Sequence, residues 1–98
     1  MQVTYHLQGV TFEWDAWKAR SNADKHGVTF REAAEAFFDP FCQWGDASVD
    51  GESREYVIGY SLAQKLLLVV HTDRFSATRI VSARPATREE RRLYEHTR

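Results

Sequence analysis

LLLVVHTDRFSATRIVSA, residues 66–83, decides the fold. Leu66 to Thr72 (LLLVVHT) is apolar on both faces, the pattern of a central strand covered on both sides. Phe75-Ser76-Ala77 turns the chain, and Thr78 to Ala83 (TRIVSA) reads as the last strand, ended by Pro85. Upstream, Arg54 to Tyr60 (REYVIGY) is a strand rich in β-branched and aromatic residues. Asp50-Gly51 before it is a hairpin-turn dipeptide, and Gln43 to Val49 fits a short strand on its far side. From residue 43 onward the chain therefore reads as an antiparallel meander.

The first part has a different period. Val10 to Trp14 (VTFEW) reads as a strand. Asp15 is placed to cap the helix AWKARSNADKH, and Gly27 to end it in a left-handed conformation. Thr29-Phe30-Arg31-Glu32 is a capping-box pattern, with Val28 and Ala33 at staple positions. The helix it opens carries Phe30, Ala33, Ala34, Phe37 and Phe38 as an apolar stripe, and Asp39-Pro40 stops it. Thr87-Arg88-Glu89-Glu90 is a second capping box, opening a terminal helix. The expected order is β-α-α-β-β-β-β-α. This is an α+β fold with an antiparallel sheet, two N-terminal helices packed on it and a C-terminal helix, in a single domain over residues 1–98.

Composition narrows the function. With 43% hydrophobic and 28% charged residues the chain is that of a globular protein. One cysteine, Cys42, excludes an internal disulfide framework, and the four histidines are too scattered for a metal-ligand pair on one helix face. No metal or other cofactor is expected. The longest apolar run is too short to cross a membrane, and the start lacks the pattern of a signal peptide, so a cytoplasmic location is expected. The net charge of −1 hides an asymmetry. Residues 1–73 hold 6 Lys/Arg against 11 Asp/Glu, whereas residues 74–98 hold 7 Arg against 3 Glu. Such polarity points to a local contact with an anionic ligand or a charged partner.

Several stretches together resemble the BrnT family of toxins. FEWDAWKARSNADKHGVTFREAAEAFFDP is similar to the family's opening signature, ESREYVIGY to its Glu-x-Arg and Ile-Gly segment, and LLVVHTDR with TRIVSARPATREERRLYE to its later strands and helix. The similarity runs from Phe12 to Glu95. It implies a RelE-like fold, metal-independent cleavage of mRNA, and neutralisation by a BrnA-like antitoxin. The antitoxin would supply the DNA-binding part of a repressor complex, so contact with DNA would be indirect.

Metal-free RNA cleavage needs a base for the ribose 2′-OH, cations for the phosphorane and a proton for the leaving oxygen. Arginines suit the phosphorane. Arg54 lies at the start of its strand, while the DRFSATR turn brings Arg74 and Arg79 near each other. Arg79 and Arg84 are five apart, so strict alternation puts them on opposite sheet faces unless a bulge intervenes. Arg79 and Arg54 therefore rank above Arg84. Glu52 is either a base or the orienting partner of Arg54. His26 is either an acid–base group or a helix-end cap. Lys25, Arg84 and Tyr94 are candidate RNA contacts, although Tyr94 also suits docking of the terminal helix. His71 fits a core position, and Arg88, Arg91 and Arg92 have glutamates in pairing range. Three readings remain open: an endoribonuclease toxin, a protein whose main role is to assemble with a DNA-binding antitoxin, and a toxin that attacks a protein.

Overall fold

A computed structural model describes residues 1–96. Its elements are β1 (Gln2–Leu7), β2 (Val10–Asp15), α1 (Ala16–His26), α2 (Phe30–Glu35) continued by a 3-10 turn (Ala36–Phe38), β3 (Gln43–Asp46), β4 (Glu55–Tyr60), β5 (Leu66–Arg74), β6 (Ala77–Pro85) and α3 (Arg88–His96). They build one six-stranded sheet in the order β1-β2-β6-β5-β4-β3.

Two features of the strand arrangement depart from the sequence expectation. The first is β1, which pairs antiparallel with β2 through a turn in which Gln8 and Gly9 both take positive φ. Val3, Tyr5 and Leu7 alternate with polar residues and pack against the core. This is a half-buried edge strand joined by a weaker turn signal than Asn-Gly. The second is that the sheet is mixed, not antiparallel. The β1–β2 hairpin leaves through α1, and the meander returns to lay β6 parallel to β2 over Phe12↔Thr78 and Glu13↔Arg79.

The local signals of α1 act as their chemistry suggests. Asp15 accepts from the Lys18 N–H at 3.0 Å, and Gly27 closes the helix at φ 70°. Beyond Arg79, β6 has no strand partner on the β2 side among the described residues. Asn22 of α1 takes that place: its amide oxygen accepts from the Ala83 N–H at 3.0 Å and its NH₂ donates to the Ala83 carbonyl at 2.7 Å. The same NH₂ donates to Val28 O at 3.0 Å. One buried side chain thus extends the sheet edge into the helix and satisfies backbone groups that burial would otherwise strand.

The two capping boxes differ. At α3 the box is reciprocal, Thr87 Oγ1 accepting from Glu90 N–H and Glu90 from Thr87 N–H. At α2 only Thr29 caps, and Glu32 turns away to accept from the Ser61 hydroxyl at 3.0 Å. A tertiary partner has displaced the local one.

The main core lies between the sheet and α1–α2, with Phe12, Trp14, Phe30, Val57, Leu67, Val69 and Ile80 all buried. At Gly59 a side chain would collide with the Ala36 carbonyl, so glycine lets the 3-10 turn rest directly on β4. Within this layer His71 is 1% exposed and stacks edge-on against Phe37 and Trp44. Among the described residues, neither ring nitrogen has a hydrogen-bond partner. Burial pushes its pKa down to about 4, so the ring is neutral near pH 7. The opposite face carries a smaller cluster of Ile58, Leu66, Leu68 and Tyr94, covered by α3.

Candidate active site

Register shows what lies on the α3-covered face beyond the helix. Leu68 and Val70 of β5 belong to the cluster under α3, so Thr72 and Arg74, two and four places on from Val70, share that face. Thr72 pairs with Arg79, Arg79 with Glu13, and Glu13 with Thr4. Paired residues point to the same side. A polar row therefore runs across β1, β2, β6 and β5, past the edge of the apolar cluster.

Arg79 is the centre of this row. Its Nη1 donates to Glu13 Oε2 at 2.8 Å and to Gln2 Oε1 at 3.4 Å. Arg74 Nε lies 3.8 Å from the same Glu13 oxygen. The Arg74 side chain is 51% exposed, Arg79 23% and Glu13 11%. Two guanidinium groups thus converge on a carboxylate that is nearly buried. Among the described residues, Nε and Nη2 of Arg79 make no hydrogen bond, so donors remain available for an anion.

Arg54 stands next to the row. Thr72 Oγ1 donates to Ser53 O at 3.2 Å, which ties the segment before β4 to β5. A shallow depression there is lined by Arg54, Ser53, Thr72 and Asp73 among others. Glu52 accepts from Arg54 Nη2 at 2.7 Å and is otherwise largely exposed. The hairpin tip beside Arg74 is Phe75, 99% exposed at φ 58°.

The β5–β6 pairing corrects the expected placement of Arg84. Val70 pairs with Ser82 but His71 with Ile80, so Val81 is an extra residue in β6. This bulge changes the alternation and brings Arg79, Ser82 and Arg84 to the same face. They still do not form one site. Arg84 makes a two-pronged pair with Glu90, Nη1 to Oε1 and Nη2 to Oε2, both at 2.8 Å. Those hydrogen bonds raise the pKa of Arg84 and lower that of Glu90. Tyr94 is buried, its ring edge-on to Tyr60 and its hydroxyl donating to Asp39 Oδ2 at 2.7 Å. Both residues fasten α3 to the sheet.

Lys25 and His26 occupy a third place. Together with Lys18, Ser21 and Asn22 they line a groove between α1 and β6, floored by Val81 and Ser82. The groove opens beside the stretch of β6 that leads from Arg79 to Arg84. Among the described residues, no three His, Cys, Asp or Glu side chains are grouped to hold a metal ion.

The candidates thus divide: Arg54, Glu52, Arg74 and Arg79 at the hairpin end, Lys25 and His26 in the helix groove, Arg84 and Tyr94 under α3. Glu13 and Thr72 were not singled out from the sequence. Glu13 carried a signal, because it is the charged residue between the buried Phe12 and Trp14 and alternation must turn it to the other face.

Comparison with known proteins gives first a class. Residues 14–90 match the model of a family described as the ribonuclease toxin, BrnT, of type II toxin–antitoxin systems. The chain belongs to the BrnT family. Among solved structures, the ribonuclease toxin BrnT of Brucella abortus is similar, with a TM-score of 0.59 and 25% identity over 76% of this chain and 94% of that one. No curated protein is significantly similar in sequence. The family match starts at Trp14, so β1 and Glu13 lie outside it.

Proposed function

We propose that this chain is a metal-independent endoribonuclease of RelE-like fold that cleaves mRNA and thereby blocks translation. In this reading the ribose 2′-oxygen attacks the adjacent phosphate. Arg79 meets the developing negative charge with its open nitrogens, and Arg74 and Arg54 add positive potential on either side. The single observation that carries the reading is Arg79 itself: held through one nitrogen, with its other donors available, on a sheet face that α3 leaves open. Lys25 and His26 would follow the RNA backbone along the α1–β6 groove. Glu52 is the orienting partner of Arg54 in this scheme, given its 2.7 Å ion pair.

The expected partner is a BrnA-like antitoxin that carries the DNA-binding function of the complex, with both proteins acting in the cytoplasm. No helix among the described residues is long and apolar enough to cross a membrane. The second reading, a protein whose main role is antitoxin binding, draws on the carboxylate partners of Arg54, Arg79 and Arg84, which offset much of their charge.

Labelled single-stranded RNA incubated with the purified protein in EDTA separates the two. Cleavage leaving cyclic-phosphate ends, lost in the Arg54→Ala/Arg79→Ala double variant, is the expected result. Full cleavage by the folded double variant would refute the arginine assignment, and intact RNA with wild type would favour the binding role.

A further inference from the structure

Glu13 is unusual among the charged residues of this protein. It is nearly buried, sits on an inner strand and receives two guanidinium groups on one oxygen, Oε2. Its second oxygen, Oε1, has no hydrogen-bond partner among the described residues. Among the described residues only His71 has fully buried side-chain nitrogens or oxygens without a partner, so Oε1 is not sealed from solvent. An ion pair that served stability alone would gain by engaging both carboxylate oxygens, as Glu90 does with Arg84. At Glu13 one oxygen is committed to the arginines, and the other has no partner among the described residues.

We propose that Glu13 is the general base of the cleavage reaction, with Oε1 as the proton acceptor. The assignment rests on the ribonuclease reading above. A phosphodiester held on Nε and Nη2 of Arg79 places its neighbouring ribose next to the carboxylate that Nη1 fixes. Oε1 takes the 2′-OH proton as the 2′-oxygen forms its bond to phosphorus. The bond from phosphorus to the 5′-oxygen then breaks, and the departing oxygen takes a proton from water in the open site. The products are a 2′,3′-cyclic phosphate and a 5′-hydroxyl, and Glu13 returns its proton to solvent. Oε2 stays with the arginines throughout.

The charged and polar groups around Glu13 come from three neighbouring strands. Arg79 faces it from β6 and Arg74 from β5, while β1 contributes the uncharged Gln2 and Thr4, with His6 further along the same face. The nearest charges are therefore cationic. A general base acts only in its ionised form, so the pH dependence of cleavage reports on whichever group serves as the base.

The test compares wild type, Glu13→Gln and Arg79→Ala on labelled single-stranded RNA in EDTA across pH. Binding is measured separately with an RNA that carries 2′-deoxyribose at the cleaved position and cannot react. Glutamine keeps an oxygen for Arg79 but cannot act as the base. The expected result is a drop in kcat of about a hundredfold or more for Glu13→Gln. KM and the affinity for the unreactive RNA should stay within about threefold of wild type, and the acid limb of the pH profile should disappear. Glu13→Gln cleavage above about a tenth of the wild-type kcat, with the acid limb retained, would overturn the assignment and reduce Glu13 to a positioning residue. Absence of wild-type cleavage is a different failure, because it removes the ribonuclease reading and the base together.

Discussion

Two ends of one sheet face carry arginine–glutamate pairs and use them differently. Under α3, Arg84 and Glu90 are matched prong for prong, and Thr87 and Tyr94 complete the fastening of the helix. At the hairpin end, Arg79 and Arg74 share one oxygen of Glu13, leaving donors and an acceptor unspent. The residue types are the same, and the difference lies in geometry. A fully satisfied pair holds an element in place, whereas an incompletely satisfied one is equipped to take a ligand.

The sharpest way to break this comparison is to remove one arginine from each end. Arg79→Ala should lower RNA cleavage by about 10²–10³, the usual cost of losing a donor aimed at developing charge. Arg84→Ala should leave the rate of the chemical step within about threefold and lower the melting temperature instead. Equal losses of cleavage from both would mean that the two ends act as one site.

A second test sets stability against chemistry at the open end. His71 lies on β5 directly before Thr72, but on the opposite, buried face. Its folded pKa of about 4 is below the unfolded value of 6.5. The unfolded chain therefore binds the extra proton between these values, and stability falls as pH drops through that window. The full effect is about 3 kcal/mol, complete by roughly pH 4 and absent above the unfolded value. Denaturant titrations at several pH values should show this loss in wild type and its removal in His71→Phe. A His71→Phe protein with the wild-type acid dependence would show that other groups cause it.

The smallest effect belongs to the fastened end. Tyr94→Phe deletes the hydroxyl that donates to Asp39 and should cost about 1 kcal/mol in denaturant unfolding. Affinity for unreactive RNA should not change, since the ring is buried against Tyr60. A clear loss of RNA affinity would place α3 in the binding surface.

Much of this was legible in the residues because it is local. Asp15 and Gly27 mark both ends of α1, and Asp50-Gly51 makes the turn with both residues at positive φ. The hairpin of β5 and β6 follows from LLLVVHTDRFSATRIVSA, although the turn occupies only Phe75-Ser76 between the paired Arg74 and Ala77. The β1 strand was within reach, because Val3, Tyr5 and Leu7 alternate, but Gln8-Gly9 is a weak turn signal. Glu32 looked like a capping residue and became a tertiary one, since Ser61 lies 29 residues further along the chain.

The sequence by itself determined the α+β class, the helix limits, the strands of the meander and the BrnT resemblance, all from short-range periodicity, turn chemistry and motif order. Only the tertiary structure decided that β6 runs parallel to β2, that Asn22 completes the edge of β6, and that Val81 bulges. It alone decided that Glu13 meets Arg79 across 66 positions of chain. The reason is physical. Local hydrogen bonds and alternation act within a few residues, whereas the partner of a buried charge is chosen by which strands come to lie side by side.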